Sequence, residues 1–518
     1  MYSFIATQLV WWTGGAITVL SMVALALYAF TTYKHGYFRR RGIKGPKPSP
    51  FWGHIKDLMA VGAHEFDRRS VKEFGQVYGF YFGNHPTLMV ADPDILKEIA
   101  IKQFSNFYNR GDTVQIAKVW QNSVNNAKGI KWKYLRAILQ PAFSSGKIKG
   151  MRPILKRCLD DMISCLDSDL LDSKEHVVEM NDKFKRLTMD VICSSAFGIE
   201  VNTQRNPEDQ FVKHASKILG GSLSNKVLLL NWFFPDFQSL IMYFAKDFND
   251  PAAMEFLGAT VRKAMEERKK SYPHEYRDIL QLMMNTKSED HAIGVSEEKS
   301  FEEMKKGGMS DADIIINGII FLAAGHETTA ALLGFISYNL ATHPEVQERL
   351  LEEIDEVTGT IENSVTYESI LKMEYLEMIL QETLRLYPPA GRFNRQPAED
   401  VTIKGVHFEK GMDITFTTYG IHMNPIYWPE PEKFDPERFS PANRGNIYPY
   451  SHVPFGAGPR NCVGMKLALA ETKMAIVRLL QSFRLEPSDK LTIPLKTNNG
   501  GGLLRPVTLW LKLVRRKE

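Results

Sequence analysis

Cysteine is scarce. The 518 residues hold four, Cys158, Cys165, Cys193 and Cys462, too few to staple so long a chain, which excludes the disulfide framework of small secreted domains. Cys158 and Cys165 would lie about two helical turns apart, roughly 10 Å, if their stretch is helical, beyond disulfide reach. The body of the protein is therefore expected in a reducing compartment. An excess of one charge is also missing: 64 Lys and Arg face 60 Asp and Glu, for a formal net charge of +4. No chain-wide field recruits nucleic acid, and no nucleic-acid partner is expected. No internal repeat divides the chain, and no second linker follows residue 50, so one large folded unit is the simplest account. A composition 44% hydrophobic and 24% charged is ordinary for a globular protein and leaves room for a large core.

Charge is wholly absent from Met1 to Tyr33. Within that stretch, Ile5 to Phe30 is apolar and long enough to cross a bilayer, which takes about 20 residues. A cleaved signal peptide has a shorter apolar core, roughly 7 to 15 residues, and a basic start. Here Lys34, Arg39, Arg40, Arg41, Lys44 and Lys47 come afterwards. Residues 1–33 are thus expected as a transmembrane anchor, with the basic flank, and all that follows, in the cytosol. Trp11 and Trp12 sit near the other end, where indole rings favour the water boundary. Residues 34–50, ending in Gly45-Pro46-Lys47-Pro48-Ser49-Pro50, read as a basic, proline-rich linker. Residues 51–518 form the body.

Helical signatures dominate that body, so the expected fold class is mainly α with minor β. The clearest helix starts at Ser310, whose spacing to Asp313 resembles a capping box, and runs to Thr342 before His343-Pro344 interrupts. Short strand-like runs occur at Gln76–Phe82, Thr87–Val90, Val401–Phe408 and Val507–Leu513. Residues 285–309 are polar without apolar period and read as a solvated loop.

Phe455-Gly456-Ala457-Gly458-Pro459-Arg460-Asn461-Cys462-Val463-Gly464 precedes an apolar helical stretch from Met465 to Leu480. A cysteine just before a helix meets free backbone N–H groups and the positive end of the helix dipole, which stabilise a thiolate able to bind iron. Gly456, Gly458 and Gly464 remove side chains where the backbone turns tightly and where a flat macrocycle would lie close. Arg460 offers a fork for a carboxylate, and Phe455 is placed to shield the sulfur. A buried cysteine is usually packing and a glycine-rich turn usually only a turn. The complete spacing Phe-x-x-Gly-x-Arg-x-Cys-x-Gly changes that balance. A phosphate loop would need Lys-Ser or Lys-Thr after the glycines, and a zinc site would need partner ligands nearby.

With this loop the chain resembles the cytochrome P-450 family, whose haem-binding segment has that pattern. Other segments follow the family's order. Glu382-Thr383-Leu384-Arg385 and then Pro436-Glu437-Arg438-Phe439 match its buried charge network, implying a structural role for Glu382, Arg385 and Arg438. Ala324-Gly325-His326-Glu327-Thr328-Thr329 resembles the oxygen-binding helix, whose acid and first threonine deliver protons to bound dioxygen. Glu327 and Thr328 inherit that role, and a local distortion of the helix is expected there, since glycine and threonine are poor helix formers. Trp132 and Arg136, four apart, match the pair that contacts a haem propionate; Arg395 and Arg110 join them by position. Ala323, Ala324, Pro389 and Ala390 are expected to face substrate.

Leu187–Ile192, Asp278–Met283 and Gly501–Leu504 make the chain similar to the microsomal group containing drug- and steroid-oxidising vertebrate enzymes, thromboxane synthase and insect detoxification enzymes. The resemblance covers about residues 35–515. It implies haem b (iron protoporphyrin IX) held by Cys462, and insertion of one oxygen atom from O₂ into a hydrophobic small molecule. Electrons would come from NADPH through NADPH-cytochrome reductase, with cytochrome b5 as an optional donor. The implied location is the endoplasmic reticulum membrane, single-pass, with the body cytosolic. Lys131, Lys133 and Lys466 are candidates for an acidic redox partner. Trp232-Phe233-Phe234-Pro235 is a candidate membrane dip, with buried core the equal alternative. Two rivals are a haem-thiolate isomerase or dehydratase acting on peroxides, which the intact Glu327-Thr328 pair argues against, and a non-catalytic haem sensor. Substrate identity is not legible in the segments around 107–125, 211–240, 389–395 and 496–504.

Overall fold

The computed structural model describes residues 2–111, 120–172, 175–206, 208–219, 225–245, 249–270, 278–286, 301, 307–359, 365–498 and 503–516. Most of the solvated loop expected at 285–309 lies outside them. The chain opens with helix α1 (Tyr2–Thr32), of which Trp11–Thr32 is apolar, unburied except at its end, and long enough to cross a membrane. Strands β1 (Val77–Phe82) and β2 (His85–Val90) follow as a tight antiparallel hairpin. Then come the helices α2 (Gly129–Leu139), α3 (Arg152–Asp172), α4 (Met180–Phe197), α5 (Lys226–Phe233) and α6 (Gln238–Ala245).

Helix α7 (Asp311–Thr342) crosses the centre of the molecule. Its N-terminus carries the expected capping box: Asp313 N–H donates to Ser310 Oγ at 3.1 Å, and Ser310 N–H donates back to Asp313 Oδ2 at 3.2 Å. Though apolar enough to span a bilayer, α7 is buried, since the surrounding helices cover every side of it. Helix α4 packs closest. Gly325 permits this approach, because a Cβ there would lie 2.9 Å from Ile192 Cδ1. Helix α7 runs unbroken through Gly325 and the two threonines. The expected distortion is absent because the Thr328 hydroxyl bonds within the helix, to the Ala324 carbonyl at 2.7 Å.

Downstream lie α8 (Pro344–Thr358), α9 (Glu374–Leu386), β3 (Arg392–Arg395), β4 (Ile414–Thr417) and α10 (Met465–Ser482). Strands β5 (Phe483–Pro487) and β6 (Trp510–Arg515) end the chain's regular structure. One sheet has the order β1-β2-β4-β3, with β2 parallel to β4 (Leu88 opposite Ile414) and β3 antiparallel to β4 (Arg395 opposite Ile414). The other joins Val177–Glu179, β6 and β5.

Residues 34–50 are packed on the body rather than strung out as a spacer. Phe38 is 3% exposed, a burial worth about 2 kcal/mol. Gly79 N–H donates to the Lys44 carbonyl at 2.8 Å, and His54 reaches the Pro46 carbonyl at 3.1 Å. The prolines remove donors from one edge while the free carbonyls bind β1 and its neighbours. The end of α1 is tied down too. Phe30 stacks on Phe234 with centroids 6.0 Å apart, and Tyr33 and Lys34 both reach Asp236, at 2.5 and 3.0 Å. Trp232 and Phe233 are buried, whereas Phe237, Leu240, Tyr243 and Phe244 on and before α6 are exposed. The apolar face turned to solvent is thus α6, one step beyond the predicted dip.

Candidate active site

The loop before α10 places Cys462 at the helix N-terminus. Gly456 and Gly458 both take φ of +73°, and a Cβ on Gly458 would run into the Ala100 carbonyl, so glycine is required there. Cys462 N–H donates to the Phe455 carbonyl at 2.9 Å, and Asn461 N–H to the Gly458 carbonyl at 3.0 Å. These bonds turn the cysteine out of the loop, and its side chain is exposed. Protein crowds the sulfur from behind, and that burial pushes the thiol up. The Gly464 N–H, Arg136, Arg110 and the Met465 N–H pull it back, in that order. Two backbone donors and two guanidinium groups therefore favour negative charge on this sulfur. Gly464, the N-cap of α10, sits 3.7 Å from the Phe143 ring in Cβ terms, an ordinary contact.

Around Cys462 the structure gathers Arg110, Arg136, Arg395 and Arg460. Burial pushes Arg460 down to about 8, with Arg110, Arg395 and Arg136 adding repulsion. Burial likewise brings Arg395 to about 9 and Arg110 to about 10. Among the described residues no carboxylate pairs with Arg136, Arg395 or Arg460, and the buried Nε atoms of Arg110, Arg395 and Arg460 have no acceptor. So many uncompensated guanidinium charges in one place call for an anion. Haem brings two propionates, and this donor set, with a cysteine sulfur at a helix N-terminus beside it, fits that group.

Trp132 and Arg136, expected to share one anion, each also meet a partner in the protein. Arg136 gives both terminal nitrogens to Asn461, one to its carbonyl and one to its Oδ1, each at 2.8 Å. It clamps the residue before the cysteine. The Trp132 ring instead supports the Arg460 guanidinium, 4.4 Å above its centroid. Arg460 also donates to the Asn125 carbonyl at 3.2 Å and to the Ala127 carbonyl, and Arg395 to the Ala457 carbonyl at 3.3 Å. Lys131, a candidate for a redox partner, is committed to Asp313 at 3.0 Å and only 14% exposed; Lys466 remains exposed.

Behind the loop, Glu382 and Arg385 are fully enclosed. Arg385 Nε and Nη2 each donate to Glu382 at 2.7 Å, and its Nη1 reaches the Pro431 carbonyl at 2.7 Å. Asp435 N–H adds a bond to Glu382 at 3.0 Å, and Arg438 Nε stands 3.4 Å away. Burial pushes Glu382 up while Arg385, the Asp435 N–H and Arg438 oppose it. His422 connects this network to the cysteine loop: one ring nitrogen meets the Arg385 carbonyl at 3.1 Å, and the other accepts Val453 N–H at 2.9 Å. No motif in the sequence marks His422.

On α7, Ala324 and Thr328 share one partly open stripe, while Glu327 is 1% exposed. Ala323 is wholly enclosed in the core and Pro389 is buried, so of the four residues expected to face substrate only Ala324 and Ala390 are open. A helix turns 100° per residue, which separates Ala323 from the stripe of its neighbour. Arg505, unmarked by any motif, pairs with Glu327.

Comparison with known proteins follows the same lines. The family model for cytochrome P450 matches residues 43–513. Cytochrome P450 3A9 of Rattus norvegicus is 38% identical over 503 residues, covering 97% of this chain and 96% of that protein. Cytochrome P450 3A11 of Mus musculus is 38% identical over 504 residues, with 96% of each covered. Cytochrome P450 3A29 of Sus scrofa is 37% identical over 484 residues, with 93% of each covered. The chain belongs to the cytochrome P450 family. It is a monooxygenase, an oxidoreductase whose family implies haem b.

Proposed function

We propose that Cys462 is the axial ligand of haem iron and that the protein inserts one oxygen atom of O₂ into a hydrophobic small molecule of the xenobiotic, steroid or fatty acid class. The observation that carries this is the sulfur at the start of α10, with the Gly464 and Met465 N–H groups on it and unneutralised arginines around it. When bound, haem supplies the reductive activation of dioxygen. The chain's own residues do the rest. The two N–H groups would favour negative charge on Cys462 Sγ, and Arg110, Arg136, Arg395 and Arg460 would hold the propionates, with Trp132 stacked under Arg460. Arg136 fixes Asn461 and so the cysteine. Thr328, whose hydroxyl now donates to the Ala324 carbonyl, and Glu327 move protons at the oxygen-facing side of α7. Phe455 keeps water from the sulfur.

Electrons come from NADPH through NADPH-cytochrome reductase, with cytochrome b5 as an optional donor. Helix α1 anchors the protein in the endoplasmic reticulum membrane by a single pass, with residues 51–518 as the catalytic domain on the cytosolic face. The test is turnover of steroid and drug panels with ¹⁸O₂, NADPH and reductase. Product carrying one ¹⁸O is expected; rearrangement of organic peroxides at full rate without NADPH would overturn the reading.

A further inference from the structure

Glu327 is 1% exposed, and among the described residues neither carboxylate oxygen accepts a hydrogen bond. Its one ion-pair partner among the described residues is Arg505, which is 25% exposed. The pair therefore crosses the wall of the molecule, with the acid inside and the guanidinium reaching the surface. A buried carboxylate without a counter-charge is costly, and Arg505 is placed to fix where the Glu327 side chain points.

The backbone holds Arg505 from both sides. Its N–H donates to Asn498 Oδ1 at 3.0 Å, and its carbonyl accepts Asn498 N–H at 3.1 Å. Leu504 N–H, just before it, donates to the Pro389 carbonyl at 2.8 Å. Pro506, just after it, lies against α7, where its Cγ would be 3.2 Å from a Cβ on Gly334. Outside Glu327, the field of Arg505 also reaches Lys185 on α4 and His326. Lys185 in turn lies within the influence of Glu179 and Asp182.

We propose that Arg505 is the positioning residue for Glu327. This rests on Glu327 acting as proton donor, as proposed above. Per turnover, RH, O₂, NADPH and one proton give ROH, water and NADP⁺. When the acid is misplaced, O₂, NADPH and a proton give H₂O₂ and NADP⁺ instead, with RH unchanged.

The experiment uses the full chain with reductase and NADPH, comparing Arg505→Met, Arg505→Lys, Glu327→Gln and the Arg505→Met/Glu327→Gln double variant. Product and peroxide per NADPH are counted, and thermal unfolding of each variant is recorded. Arg505→Met should lower kcat for product roughly tenfold and raise peroxide in step, with KM and haem content unchanged. Arg505→Lys should restore most of the loss. The unfolding midpoints of the two single variants should both fall, with the double variant no lower than Arg505→Met. Unchanged coupling in Arg505→Met, while Glu327→Gln is uncoupled, would overturn the role of Arg505 alone. Normal coupling in Glu327→Gln would overturn the role of the acid itself. Additive losses of stability would overturn the pair.

Discussion

In a place with no solvent, the Arg385 fork and the Asp435 N–H donate to Glu382, and the Arg438 guanidinium stands beside it. Glu382→Gln leaves Arg385 buried with half its fork unmatched. Stability should fall by about 3 to 5 kcal/mol, read by denaturant unfolding. Arg385→Lys should cost nearly as much, since an ammonium cannot bind both oxygens and two carbonyls at once; a loss under about 1 kcal/mol would contradict the network. Arg460 makes the complementary case. Its repulsion by Arg110 and Arg395 is relieved by an anion, so Arg460→Leu should release haem roughly tenfold faster, followed by transfer to an acceptor protein. An unchanged rate would remove Arg460 from the propionate site. Residues spelled out by contiguous motifs, such as Cys462 and the Glu382–Arg385 pair, were legible in the sequence because their partners lie within one or two helical turns. Arg505 and His422 were not, since each meets its partner only through the tertiary fold. The contact between Arg136 and Asn461 was also hidden, because a shared helical face does not reveal that Asn461 arrives to meet both terminal nitrogens of the arginine.

Among the elements, α7 announced itself through its capping box and its proline stop. Strands β3 and β4 did not: β4 is a short buried run whose pairing with β2 and β3 is set by distant segments. The basic stretch 34–50 was misjudged for a related reason. Prolines read as an open spacer until carbonyls such as those of Lys44 and Pro46 find donors on the body. Helices α1 and α6 present one continuous apolar front, joined through Phe30, Phe234 and Phe237. Deleting residues 2–32 should weaken but not abolish flotation with phospholipid vesicles, and adding Phe237→Ser, Tyr243→Ser and Phe244→Ser should abolish the remainder. Full release by the deletion alone would show that α6 does not touch lipid.

For the whole molecule, buried histidines, His422 among them, set the acid limit of stability. Burial brings His54, His64 and His452 to about 4 and His326 to about 3. Their folded pKa values lie below the unfolded value, so the stability they contribute is complete above pH about 6.5 and is lost as pH falls toward 4. At pH 5 each costs about 2 kcal/mol. The unfolding midpoint measured by circular dichroism should therefore drop steeply between pH 7 and 5, and a flat profile would contradict the burial of these rings. The same enclosed core packs α7 against α10, the helix that the cysteine loop precedes. The central claim is that Cys462 places a thiolate on haem iron, and the carbon monoxide difference spectrum of the reduced protein tests it most directly. Wild type should show a band far to the red of a histidine-ligated haem, and Cys462→Ala should lose it; a folded, haem-loaded wild type without that band would contradict the account.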